Sequence, residues 1–236
     1  MSRSKRMLAE TLLEQGELEG EGLMPSVPET LGRYRVLELL GQGASSDVYL
    51  AEDPLIGRRV AVKVLLAVVD DQSESFLAEL RTLGQLRHPN VVAVHDAGVH
   101  EDHPFIVMEC LEGGSLAEAH LSLRQRIEVL HAVAKACHAA HLAGIVHRDL
   151  KPHNVLLGDR PVVADFGLAA LLEESEEGSR SLVGTPLYMA PEQLRGGPVD
   201  ARSDVYALGV MLYEALTGQV PFRKDTLEEL AMEVCE

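Results

Sequence analysis

From Arg33 onward the chain is laid out in short apolar runs separated by turn residues. Tyr34–Leu40, Asp47–Ala51 and Val60–Leu66 read as three strands. The turn Gly41-Gln42-Gly43 follows the first, and Gly57 punctuates the other two. Ser75–Leu86 changes period: Phe76, Leu80 and Leu83 recur at helical spacings, and Pro89 stops the helix. Val91–Val94 and Phe105–Met108 add two more strand-like runs. Then Leu123, Ile127, Leu130, Ala134, Cys137 and His141 mark one face of a long helix that Gly144 ends. Short apolar runs follow at Val155–Leu157 and Val162–Ala164. Val205, Leu208, Leu212 and Leu216 mark a further apolar helix closed by Gly218. Asp225, with Glu228 three residues on, reads as the N-cap of a last helix starting at Thr226. A strand-rich half followed by a helix-rich half predicts an α+β fold in two lobes with a cleft between them.

Residues 1–31 differ from the rest. They are rich in Glu and Gly, contain Pro25 and Pro28, and read as an acidic, solvated extension. Met7, Leu8, Leu12 and Leu13 would also suit a short amphipathic docking helix. The 236 residues suffice for one large domain or two small lobes, and 46 % hydrophobic with 25 % charged residues excludes wholesale disorder. Lys and Arg total 21 against 37 Asp and Glu, a formal charge of −16. So acidic a surface argues against nucleic acid and anionic membrane as partners, but not against one nucleotide in a local site. Cys110, Cys137 and Cys235 are scattered, which argues against a disulfide framework and for a reducing, cytoplasmic setting. No apolar stretch approaches the ~20 residues of a membrane helix, and no secretory signal is read.

The candidate chemistry begins at Gly41-x-Gly43-x-x-Ser46-x-Val48. Backbone without Cβ can approach phosphate oxygens and point N–H groups at them. The turn joins strand to strand, unlike a Rossmann turn, and lacks the Gly-Lys-Ser/Thr ending of a Walker loop. Lys63 closes Val60-Ala61-Val62-Lys63 and needs an anionic partner if buried, for which Glu79 is a candidate. Either a structural ion pair or a lysine held for phosphate would satisfy this. The densest segment is His147-Arg148-Asp149-Leu150-Lys151-Pro152-His153-Asn154. Asp149 can accept a hydroxyl proton, Lys151 can neutralise phosphate, and Asn154 with Asp165 can offer oxygens to a hard cation. A simple capping turn does not account for these groups in this order. Cys137, His138 and His141 read as core packing rather than a zinc site, and His95, His100 and His103 as a solvated turn.

These motifs, taken in order with Asp165-Phe166-Gly167 and Ala190-Pro191-Glu192, resemble the catalytic domain of eukaryotic-type (Hanks-type) Ser/Thr protein kinases, bacterial members especially. The resemblance spans Arg33 to about Pro221. It implies a bilobal α+β fold: a five-stranded N-lobe with one main helix (residues 32–108), a hinge (109–114) and a mostly helical C-lobe (115–236) lacking its last helices. It implies ATP and Mg²⁺ as cofactors and protein Ser/Thr hydroxyls as substrate, with self-association or autophosphorylation admitted.

By the same resemblance, Gly41, Gly43 and Val48 cover the phosphates. Lys63, held by Glu79, binds them. Asp149, Lys151 and Asn154 serve transfer, and Asn154 and Asp165 hold metal. Leu40, Val48, Ala61 and Leu156 enclose adenine. Met108 is the gatekeeper, with Glu109 and Leu111 as hinge contacts. His147, Phe166, Leu83 and Val94 resemble a regulatory spine.

Lys151-Pro152 and Thr185 fit the Ser/Thr subclass, and Ser175, Ser179, Ser181 and Thr185 are candidate phosphosites beside the acidic run Glu173, Glu174, Glu176 and Glu177. Ser46 stands where the family has its third loop glycine. No arginine is found to pair Glu192, so an unpaired buried carboxylate is expected there. The alternative to an active kinase is a weakly active or inactive nucleotide-binding scaffold.

Overall fold

The computed structural model describes residues 27–43, 45–66, 84–166 and 186–236. Six antiparallel strands form the first sheet: β1 (Thr30–Leu31), β2 (Tyr34–Gln42), β3 (Ser46–Asp53), β4 (Arg58–Leu65), β5 (Val94–His100) and β6 (His103–Glu109). Their spatial order is β1-β2-β3-β4-β6-β5. The five strands expected from the pattern are present, with two changes. The short β1 lies inside the stretch read as extension, with Leu31 fully buried. The fourth strand begins at Val94 rather than Val91, because Val91 instead bridges to Val163 beyond the sheet.

Opposed residues of an antiparallel pair share a face, so the register sorts the side chains. Val48 faces Lys63, Leu50 faces Ala61, and Ala61 faces Met108, which puts all five on one side. Tyr49, Val60, Val62, Val64, Phe105 and Val107 occupy the other side and pack with Leu31 and Tyr34. β4 is buried on both faces, which explains its unbroken apolar run around one lysine.

Tyr34 and Tyr49 give this second cluster an alkaline limit. The Tyr34 hydroxyl donates to Asp96 Oδ2 at 2.8 Å and the Tyr49 hydroxyl to Asp47 Oδ2 at 3.3 Å. Burial first, then the adjacent carboxylates, push both phenols up from 10.0 to about 12. A raised folded-state pKa contributes stability below the unfolded value that is lost as pH rises through the folded one. The urea midpoint should therefore fall between pH 10 and about 12, and Tyr34→Phe should flatten that fall.

The second half holds α1 (Leu123–Leu142), a small ladder of β7 (Val155–Leu156) with β8 (Val162–Val163), α2 (Pro191–Leu194), α3 (Ala201–Thr217) and α4 (Leu227–Cys235). Ser122 caps α1 through a reciprocal capping box with Gln125, and Gly144 takes φ +78° just beyond its end. Thr226, not Asp225, caps α4, its hydroxyl accepting from Glu229 N.

The buried faces of α1 and α3 are rotated from the stripes read in the sequence. On α3 the core side is Ser203, Asp204, Ala207, Val210 and Met211, whereas Val205 and Leu216 are 63 % and 59 % exposed. On α1 the core side is Val129, Leu130, Val133, Ala136, Cys137 and Ala140, while Leu123 and Ile127 face outward. Small residues let the two helices approach closely, and the polar pair Ser203 and Asp204 is drawn inward by partners described below. Glu192 is not left unpaired: it is half-buried and accepts from Ser203 Oγ at 2.5 Å.

The link between the halves is welded to β7. Leu157 N donates to Gly114 O, and Leu116 N to Val155 O, both at 2.8 Å. A Cβ on Gly113 would sit 1.5 Å from Leu157 O. Gly113→Ala must therefore push this linking segment off β7. It should cost about 3 kcal/mol, the upper range for an overpacked site, read as a lowered urea midpoint.

Candidate active site

The candidate groups converge where β4, the 147–154 loop and the end of β8 meet. Lys63 projects from β4, and its Nζ lies 2.9 Å from Asp165 Oδ2, with the two side chains 4 % and 5 % exposed. Two opposite charges this deeply buried are tolerable only as partners. Asp165 Oδ1 is buried and accepts no hydrogen bond from a described group. Asp165 also takes φ +63°, a strained conformation for a non-glycine residue, directly after β8.

The 147–154 loop is a network of its own. His147 Nε2 donates to Ala164 O at 2.9 Å, while Nδ1 accepts from Asp149 N at 3.2 Å. One ring nitrogen thus donates and the other accepts, which defines the neutral tautomer. The fully buried His147 ring leans on Phe166 with centroids 4.7 Å apart. Lys151 Nζ lies 3.2 Å from Asp149 Oδ2. The Asn154 amide donates to Asp149 O at 2.7 Å and to Asp149 Oδ2 at 3.2 Å. With its nitrogen so engaged, the amide oxygen is the end Asn154 can offer a cation. Pro152 opens the 3-10 turn that sets Asn154 beside β7, and Ala164 N donates back to Asn154 O at 2.9 Å.

Asp204 holds this loop from behind, a role the sequence reading did not assign. Its Oδ2 accepts from His147 N at 2.9 Å and lies 2.7 Å from His141 Nε2. Its Oδ1 accepts from Arg148 N at 3.0 Å. Arg148 has φ +69°, and its carbonyl accepts from Gln193 Nε2 at 2.7 Å. The strained residue before Asp149 is therefore fixed on both sides. In sequence Asp204 looks like an ordinary acid in a helix's first turn, and only its burial could have singled it out. His141 belongs to this network rather than to an apolar stripe. Cys137, beside it, has its thiol pushed up to about 12 by burial and then by the Asp204 charge. Among the described residues no group of three His, Cys, Asp or Glu side chains is placed to hold a metal ion.

The residues expected to enclose a base are all buried but fall into two packed groups. Leu40 and Val48 lie with Leu50 and half-buried Cys110, whereas Ala61, Met108 and Leu156 belong to the main core, with Leu111 packed at its edge. Glu109 N already donates to Ala93 O at 3.0 Å, so the carbonyl is what Glu109 can offer a base. Gly41 lies one residue before the end of β2, and Gly43 N donates to Ser46 O at 2.9 Å. Ser46 is buried within β3, so the sheet accommodates its side chain where a glycine was expected. Val94 packs on the same core as Phe166. Glu79, Leu83, Gly167, Thr185, the remaining candidate phosphosites and the acidic run Glu173–Glu177 lie outside the described residues.

Comparison with known proteins points to one family. Residues 34–236 match the protein kinase domain family. The chain is 47 % identical over 218 residues to the DNA damage-responsive serine/threonine-protein kinase RqkA of Deinococcus radiodurans, covering 86 % of this chain and 33 % of that protein. It is 37 % identical over 212 residues to the serine/threonine-protein kinase PrkC of Bacillus subtilis, covering 85 % and 33 %. With PknB of Mycobacterium leprae the identity is 38 % over 219 residues, covering 86 % and 35 %. The chain spans about a third of the length of these curated relatives. A match over most of its length, with the Lys63–Asp165 pair and the Asp149 network in place, means that the chain belongs to the protein kinase domain family.

Proposed function

We propose that this chain transfers the γ-phosphoryl group of ATP to Ser or Thr hydroxyls of proteins, with Mg²⁺ as the accompanying cation. The observation that carries the reading is the buried Lys63–Asp165 pair, in which Asp165 Oδ1 accepts no hydrogen bond from a described group. That oxygen suits a hard cation, and the Asn154 amide oxygen would complete the protein's share of the shell. Bound there, the cation would supply charge neutralisation at the phosphates.

The chain's own residues do the rest. Lys63 binds the phosphates from β4, and the backbone around Gly41 and Gly43 covers them. Leu40, Val48, Ala61, Met108 and Leu156 supply apolar surface for adenine, with the Glu109 carbonyl and the Leu111 N–H as hydrogen-bonding edge. Asp149, oriented by Lys151 and Asn154, takes the proton of the incoming hydroxyl. Lys151, nearly fully buried, keeps positive charge beside that oxygen as it attacks. Autophosphorylation within 167–185 fits the same chemistry.

The test is incubation of the purified chain with γ-labelled ATP, Mg²⁺ and a generic Ser/Thr substrate, with Lys63→Met alongside. Phosphoserine or phosphothreonine from the parent and none from the variant supports the reading. No label, with a melting temperature still raised by nucleotide, would leave a nucleotide-binding scaffold in its place.

A further inference from the structure

Glu109 is the last residue of β6, and its side chain reaches the 89–93 segment and the turn between β7 and β8. Its Oε1 accepts from Ala93 N at 3.0 Å. Arg160, in the turn between β7 and β8, donates through Nη2 to Oε1 at 3.2 Å and to Oε2 at 3.0 Å. The Arg160 Nε also donates to Pro89 O. One planar guanidinium thus ties the hinge carboxylate to a carbonyl at the far end of the 89–93 segment.

That segment is itself stitched to β8. Asn90 Nδ2 donates to Pro161 O at 2.7 Å, Val163 N to Asn90 O at 2.8 Å, and Val92 N to Val163 O at 2.9 Å. The backbone before β5, the turn before β8 and the end of β6 therefore form one body, and Arg160 closes its last side. Glu109 is only 19 % exposed at the side chain, so its charge is held chiefly by these donors.

We propose that Arg160 is a positioning residue for nucleotide recognition: by clamping the Glu109 side chain, it sets where the Glu109 carbonyl and the Leu111 N–H meet the base, and so sets affinity and selectivity for adenine over guanine. This rests on the ATP-binding reading above. Adenine presents an amino group to a hinge carbonyl where guanine presents an oxygen, so discrimination depends on that carbonyl's placement. A loosened clamp lets the carbonyl move away from an opposing oxygen, which relaxes the rejection of guanine as it weakens adenine.

The test uses steady-state kinetics of the full chain with ATP and with GTP, for the parent, Arg160→Ala and Arg160→Lys, with melting temperatures and the protein-substrate KM recorded. Arg160→Ala should raise KM for ATP about tenfold, hold kcat within about twofold and narrow the ATP-to-GTP preference. The protein-substrate KM should not move. Arg160→Lys should recover only part, because an ammonium cannot reproduce the planar link from Glu109 to Pro89. An unchanged ATP-to-GTP preference in both variants overturns the proposal. So does a loss that follows melting temperature and falls on kcat and every KM alike. A parent that neither labels protein nor binds ATP overturns the kinase reading and this proposal with it. A fully active parent whose Arg160→Ala variant matches it overturns the clamp alone.

Discussion

Asp149→Asn is expected to lower phosphoryl transfer by roughly 10²–10⁴-fold, the usual worth of a positioned general base. Asparagine keeps the shape and can still accept from the Asn154 amide, but it cannot take a proton. Nucleotide affinity should stay within about threefold, because Asp149 meets Lys151 and Asn154 while the phosphate-facing Lys63 pairs with Asp165. The substitution also leaves the Lys151 ammonium, 2 % exposed, without its neighbouring charge, so some loss of melting temperature accompanies it. Single-turnover transfer measured beside nucleotide-induced thermal shift separates these effects. Transfer within threefold of the parent would remove Asp149 from the chemistry.

Asp204→Ala is expected to have the largest structural effect of any single change outside the transfer groups. It removes the acceptor for His147 N and Arg148 N and the partner of His141 at once. Losing a carboxylate that satisfies buried donors costs about 3–5 kcal/mol. In a domain of this size that lowers the melting temperature by roughly 6–20 °C. Activity should fall further than stability explains, because Asp204 holds the N–H of Arg148 at φ +69°, and Asp149 follows it directly. Asp204→Asn keeps one oxygen for one backbone N–H and should fall between. His141→Ala, which removes a half-buried partner only, should cost about 1 kcal/mol. Asp204→Ala melting within 2 °C of the parent would show that the loop is held by other means.

Both effects lie in the same eight-residue loop, yet they were unequally visible beforehand. Asp149, Lys151 and Asn154 stand together in the sequence, and the chemistry of their side chains suffices to nominate them. Asp204 lies 55 residues beyond Asp149 in the chain and reaches the loop only because α3 packs on α1 with its polar corner inward. Helical periodicity could not reveal that corner. The most apolar stripe of α3, through Val205 and Leu216, is the face left outward. The sheet shows the same division. Apolar runs between turn residues predicted five strands, but whether Val91 joined β5 or bridged to Val163 depended on the neighbour that arrived there.

Local patterning by itself determined the α+β order of elements, the glycine turn between two strands, the lysine in an apolar strand and the polar loop after the long helix. Each rests on contacts within a few residues or on side-chain chemistry, which the chain carries wherever it goes. The tertiary structure alone decided that Lys63 pairs with Asp165, that Asp204 holds the strained backbone before Asp149, that Glu192 bonds Ser203 and that Arg160 grips the hinge. Those are pairings of buried or half-buried polar groups far apart in sequence. What selects among the many partners available to such a group is the cost of desolvation without one, a cost that arises only once the lobes have packed.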